Sequence, residues 1–161
     1  MNSKIKITTI QNDYNGKTMF DNIASDLCIE DTFSFMDESG TMETTLYGNV
    51  KIEDDKYVLS YKESDESGME NVTTRLTFNI AEPNEVTISR SGEVKSVMFF
   101  AKGKRDISIY SSGVFPFEIC VYTASIDNRL ITEGFFEVNY IVEIKGACAQ
   151  KTVMKMEIEK L

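Results

Sequence analysis

Arg90 stands out because of the residues around it. In Val86-Thr87-Ile88-Ser89-Arg90, side chains two apart share a face of an extended strand, so the arginine lies on the face that Val86 and Ile88 mark as apolar. A guanidinium on that face must pair with a carboxylate or reach the mouth of a cavity. Gly92 follows at once, which ends the strand and sets the arginine at the rim of its sheet. Two roles fit: an ion pair that closes one end of the fold, or an anchor for a ligand anion. Tyr140 falls on the apolar face of the segment Phe136 to Ile144, and a buried phenol takes a hydrogen-bond partner. Tyr61 shares a face with Tyr57 and Leu59, and the pattern leaves open which way that face turns. Arg90, Tyr140 and Tyr61 are therefore the candidate ligand-binding residues. No catalytic or metal-binding residue is assigned.

The rest of the side-chain chemistry is narrow. The chain has no histidine, so Ser-His-Asp and Cys-His arrangements and His-bearing zinc sites are excluded within one chain. Cys28, Cys120 and Cys148 are far apart and odd in number; they read as reduced thiols of a cytosolic protein, not a disulfide framework. Neither a phosphate-cradling glycine loop nor a dinucleotide fingerprint occurs. The acidic runs Glu53-Asp54-Asp55 and Glu63-Ser64-Asp65-Glu66 read as solvated turns, since their spacing matches no calcium loop. Lys102, Lys104 and Arg105 form the one basic cluster, read as a charged hairpin tip. Met98, Met154 and Met156 read as irregular core filling, with an adaptable pocket lining as the second option.

Strands must position these groups. Apolar and polar residues alternate along Val72–Ile80, Val114–Tyr122, Phe136–Ile144 and Lys151–Leu161, the pattern of antiparallel sheet with one dry and one wet face. Glycine turn signals recur at Asn15-Gly16, Ser39-Gly40, Ser67-Gly68, Ser91-Gly92, Lys102-Gly103, Ser112-Gly113 and Lys145-Gly146, and Glu82-Pro83-Asn84-Glu85 suits a type I turn. Hairpins are expected at Ser91-Gly92 and Lys102-Gly103. Phe20, Ile23, Ala24 and Leu27 fall instead at helical spacing, which predicts one short helix near residues 21–27. With no linker or repeat, residues 1–161 read as one all-β domain: a single antiparallel barrel of about eight to ten strands.

A net charge of −9 repels phosphates and anionic lipid, so no nucleic-acid and no membrane partner is expected. No apolar run reaches the ~20 residues of a membrane span, and no signal peptide follows Met1. A cytoplasmic location is expected.

From about Gly48 onward the chain resembles the YwiB-like family of small bacterial proteins. The likeness rests on ordered pieces: the strand Lys56 to Glu63 with its Leu59-Ser60-Tyr61, the threonine-rich strand Val72 to Ile80, and the strand end Arg90-Ser91-Gly92. Lys102-Gly103-Lys104-Arg105 before Tyr110, and Val138-Asn139-Tyr140, complete it. The resemblance implies a calycin (lipocalin-like) barrel and a domain of unknown function; with no cofactor-binding motif in the sequence, no cofactor is expected. The chain has no tryptophan and so lacks the lipocalin Gly-x-Trp signature, which limits the inference to the fold. Two functions follow: a small molecule bound inside the barrel, or a protein partner met by the outer surface. An enzyme ranks behind both.

Overall fold

The computed structural model describes residues 2–14, 40–63, 71–111, 116–144 and 149–161. Ten strands run in chain order: β1 (Asn2–Tyr14), β2 (Gly40–Glu53), β3 (Lys56–Lys62), β4 (Val72–Asn79), β5 (Val86–Gly92), β6 (Ser96–Phe100), β7 (Arg105–Ser111), β8 (Pro116–Arg129), β9 (Phe135–Ile144) and β10 (Ala149–Lys160). One four-residue helix, α1 (Leu130–Glu133), joins β8 to β9. All ten belong to one antiparallel sheet, ordered β6-β5-β4-β3-β2-β1-β10-β9-β8-β7. The two outermost strands meet through a Lys95–Ser111 bridge, each residue's N–H reaching the other's carbonyl at 2.8 Å. The sheet is thus a nearly closed barrel, in agreement with the alternating pattern.

Turn chemistry explains the register. Asp54 and Asp55 both have positive φ (51° and 63°) between the paired residues Glu53 and Lys56, as a two-residue hairpin turn matching the strand twist requires. The acidic run there is a turn, as expected. Glu85 N–H bonds Glu82 O at 3.2 Å, closing the turn expected at Pro83. Gly92, at φ 118°, starts the β5–β6 hairpin.

Two expectations need correction. Lys102-Gly103 does form a turn, with Lys104 N–H on Ala101 O at 2.9 Å, but it does not make a hairpin. Strands β6 and β7 are the two ends of the sheet, and the turn's backbone bonds β8 instead, through Gly103 N–H to Thr123 O (2.8 Å). A glycine turn signal fixes where the chain reverses, not which strands pair. Second, the helix present at Leu130–Glu133 was not foreseen, because four residues are too few for helical periodicity to show. The helix expected near residues 21–27, with Cys28 and Cys148, lies outside the described residues.

Inward positions follow the period of two. Toward one end the lumen is filled by Ile5, Leu59, Leu76, Ile88, Phe100, Phe136, Val138 and Met156, all sealed from solvent, with a cavity of about 290 Å³ beside α1 lined by Tyr57 and Leu130. The Tyr57 and Phe78 rings stack at 4.8 Å, and Leu130 of α1 is buried against the core. Asn128 secures this end, its amide donating to Pro83 O at 2.6 Å and its Oδ1 accepting from Leu130 N–H at 3.1 Å. Arg90 and Tyr140 lie toward the opposite end, where β1 and β7 finish and β2 and β8 begin.

Candidate functional site

The strand registers bring the three candidate residues together. Arg90 on β5 pairs with Thr74 on β4, Thr74 pairs with Tyr61 on β3, and Tyr140 enters from β9. Antiparallel partners share a face, so Arg90, Thr74 and Tyr61 all point inward. Tyr61 and Tyr140 are buried, which settles the side of the Tyr61 face that the sequence left open.

Glu63 completes the cluster. It lies two residues beyond Tyr61 and so follows the same face. Its carboxylate accepts from Thr74 Oγ1 at 2.5 Å and sits 3.7 Å from Arg90 Nε. The Arg90 and Glu63 side chains are only 12% and 8% exposed. The reading of Glu63 as part of a solvated acidic turn is therefore wrong; residues 64–66 of that run lie outside the described residues. Thr74 has a single hydroxyl proton, which goes to Glu63. Its hydrogen bond with the Tyr61 side chain must then be donated by the phenol, giving the relay Tyr61 to Thr74 to Glu63. Tyr140 hydrogen-bonds the Thr152 side chain and meets the Phe100 ring edge-on at 4.8 Å.

Burial raises the affinity of both phenols for their protons. For Tyr61, Glu63 adds to desolvation while Arg90 and the Thr74 bond oppose it. For Tyr140, desolvation outweighs Arg90 and the Thr152 bond. Both stay neutral at physiological pH and act as hydrogen-bonding groups.

Arg90 stands between two cavities in this end of the lumen. The larger, about 310 Å³, has an apolar wall of Met98, Tyr110, Ile119, Val142 and Ile144, with Gln11, Tyr140, Gln150 and Thr152 as its polar members beside Arg90. The smaller, about 100 Å³, is lined on its polar side by Tyr61, Glu63 and Arg90 and elsewhere by residues of β1 and β2, including Met42, Thr44 and Leu46. Arg90, Tyr140 and Gln11 belong to both. Met98 and Met154 are cavity-lining, whereas Met156 is core filling. Among the described residues, the lumen is thus filled around Phe100 and Phe136 and leaves these two cavities around Arg90.

Glu63, Thr74 and Thr152 were missed as site residues. Each carries the same period-two signal that marked Arg90: Glu63 follows Tyr61 by two, Thr74 follows Val72, and Thr152 precedes Met154. Polar type concealed them. The basic cluster does not join the site. Lys102 and Lys104 are exposed, and the Arg105 guanidinium lies over the Tyr122 ring at 5.6 Å. Cys120 is a free, buried thiol, pushed up to about 11 by desolvation and then by Glu143, with Arg105 opposing.

A nearly closed, ten-stranded antiparallel barrel fits the calycin-like class of all-β folds. The chain belongs to the family described as Domain of unknown function (DUF1934), which matches residues 28–156. Its fold is similar to the crystal structure of the ywiB protein from Bacillus subtilis, with a TM-score of 0.62 and 17% identity, covering 99% of this chain and 94% of that one. At that identity the likeness concerns the fold alone. No curated protein matches the chain.

Proposed function

We propose that this protein binds a small molecule inside the barrel, at the end where Arg90, Tyr61 and Tyr140 converge. The observation that carries this reading is a cavity of about 310 Å³ lined by Arg90 and Tyr140 against an apolar wall, at the end of the lumen away from the sealed core around Phe136. Interiors close-pack wherever side chains can reach, and a void bounded by an apolar wall and a few convergent polar groups is the usual form of a ligand site. The volume lies at the lower end of the ~300–1,000 Å³ range of such sites, which suits a compact ligand. A cytoplasmic bacterial setting fits the unbonded Cys120 thiol.

Native mass spectrometry of protein purified from its host, compared with the denatured mass, tests the reading. A discrete adduct that disappears in Val142→Phe, which fills the larger cavity, supports it. An unliganded mass together with unchanged melting across a small-molecule panel rejects it.

The alternative, a protein-interaction module, rests on a different observation. Val97, Ile107 and Ile109 are exposed on the strands flanking the Lys95–Ser111 bridge. Extending that bridge's register sets Val97 opposite Ile109, a small apolar patch on the outer surface.

A further inference from the structure

We propose that the ligand is a carboxylate with an apolar tail, its head held by Arg90 and its tail lying along the wall of the larger cavity. This rests on the reading of the hollow end as a ligand site and names the class of ligand. Three features of that cavity point the same way.

The first is charge. Arg90 is the single charged group among the described residues lining the larger cavity, because Glu63 reaches only the smaller one. An anion entering that cavity meets no negative charge on its wall, and the Arg90 guanidinium, paired with Glu63 at 3.7 Å, favours it over a cation.

The second is unused hydrogen-bonding capacity. A guanidinium carries five N–H donors. Arg90 Nε is buried with no hydrogen-bond partner, and its contact with Glu63, at 3.7 Å, is an ion pair too long for a hydrogen bond. Glu63 is at the same time engaged by Thr74. Arg90 is therefore balanced in charge but under-satisfied in hydrogen bonds, and a planar carboxylate is the partner that a guanidinium fork fits. Thr152, Gln150 and the Tyr140 phenol stand beside it as further polar groups.

The third is the shape of the opposite wall. Met98, Ile119, Val142, Ile144 and the Tyr110 ring carry no charge to pair with a second ionic group and cover an alkyl or aryl body well. A purely inorganic anion would leave that wall without contact. A neutral hydrocarbon would leave Arg90 as it is.

Isothermal titration with three probes sharing one tail separates the class from the site: decanoate, decan-1-ol and decyltrimethylammonium. The expected result is saturable one-to-one binding of decanoate, at least tenfold tighter than the alcohol, with the ammonium weakest. Arg90→Met alone strands Glu63, so the double variant Arg90→Met/Glu63→Gln is used beside it, with circular dichroism confirming the fold. Both should lose the preference for decanoate over decan-1-ol, while Arg90→Lys should retain part of it. If the alcohol or the ammonium binds as tightly as decanoate, or the double variant keeps the preference, the carboxylate class is wrong and the binding cavity stands. If none of the three probes binds wild-type protein, the carboxylate-with-tail class is overturned, and the cavity reading itself stands or falls on the native mass and the melting panel.

Discussion

Arg90 and Glu63 illustrate how an ion pair inside a barrel differs from one on its surface. Lys6–Glu43 and Lys51–Glu53 join exposed side chains at 3.4 and 3.0 Å, and such pairs contribute at most ~1 kcal/mol. Arg90–Glu63 is longer but shielded, so removing one partner leaves a charge with nowhere to be solvated. Arg90→Met is expected to cost about 3 kcal/mol of unfolding free energy, and Arg90→Met/Glu63→Gln clearly less than the sum of the two single changes. Additive costs in a urea-denaturation cycle would show that the pair is not coupled. Buried acids give a second prediction. Desolvation lifts Tyr57 from 10.0 to about 12 and Cys120 from 9.0 to about 11. A raised acid pKa favours the neutral form in the folded state, so the stability it brings is complete below the unfolded pKa and is lost as pH rises through the folded one. The melting temperature should therefore be unaffected by these groups up to pH 9 and decline between pH 9 and 12. Cys120→Ala should lessen the earlier part of that decline, and Tyr57→Phe should lessen the later part, to which the buried Tyr61 and Tyr140 also contribute. Profiles identical to wild type in both variants would assign the alkaline loss to other groups.

At the level of elements, the packed end depends on a few backbone constraints around α1. Gly134 closes the helix in the left-handed region at φ 67°, and its carbonyl accepts from Ile158 N–H at 2.7 Å. A Cβ on Gly134 would come within 2.5 Å of Ile158 O, a backbone atom that cannot swing aside. Gly134→Ala then combines left-handed strain with that clash, and an expected loss of about 2–3 kcal/mol follows. Thermal unfolding measures it, and a melting temperature within a degree of wild type would contradict the geometry. Asn128 performs the matching task on the β8 side, since its amide joins the β4–β5 turn to the start of α1. The long strands β1, β2 and β8, of 13, 14 and 14 residues, each pair with a neighbour on both sides. The register shift between Thr123 and Ser125 is where β8 takes up one extra residue, and such bulges sharpen the local bend.

For the molecule as a whole, the decisive feature is that closure is incomplete. Nine ladders join the ten strands in sequence around the sheet, while among the described residues the β6 and β7 edges meet only at the Lys95–Ser111 bridge, Lys95 lying just before β6. With the Lys95 and Ser111 N–H groups directed across the seam, the alternation of a strand sends those of Val97, Phe99, Ile107 and Ile109 the same way. Hydrogen exchange should find these four amides among the least protected within the strands, well behind the central amides of β4 and β9, because local opening there breaks few bonds. Equal protection on both sides of the comparison would mean that the seam is closed in solution by pairing beyond the one bridge. The seam adjoins the larger cavity, since Met98 and Tyr110 come from the two seam strands. A ligand touching both should slow exchange across the seam.

The sequence by itself determined the class of fold, the strand positions and the faces they present. These are local properties: alternation at a period of two is written into consecutive residues, and a turn at Pro83 or Gly92 needs only its own backbone. Arg90 was legible for the same reason, as a charge on a face that Val86 and Ile88 define. Only the tertiary structure decided which strands meet. The Lys102-Gly103 turn looked like a hairpin and proved to face the seam, because pairing is a property of the closed sheet, not of the turn. The partnership of Glu63, Thr74, Tyr61 and Arg90 was likewise invisible, since it spans three strands and depends on register. Whether the lumen is filled could not be read from residue types either, because Met98, Val142 and Ile144 suit a core and a cavity wall equally. The barrel's circumference and the number of side chains sent into each layer decide it: large apolar residues fill the lumen around Phe100 and Phe136, and the described residues around Arg90 leave cavities between them.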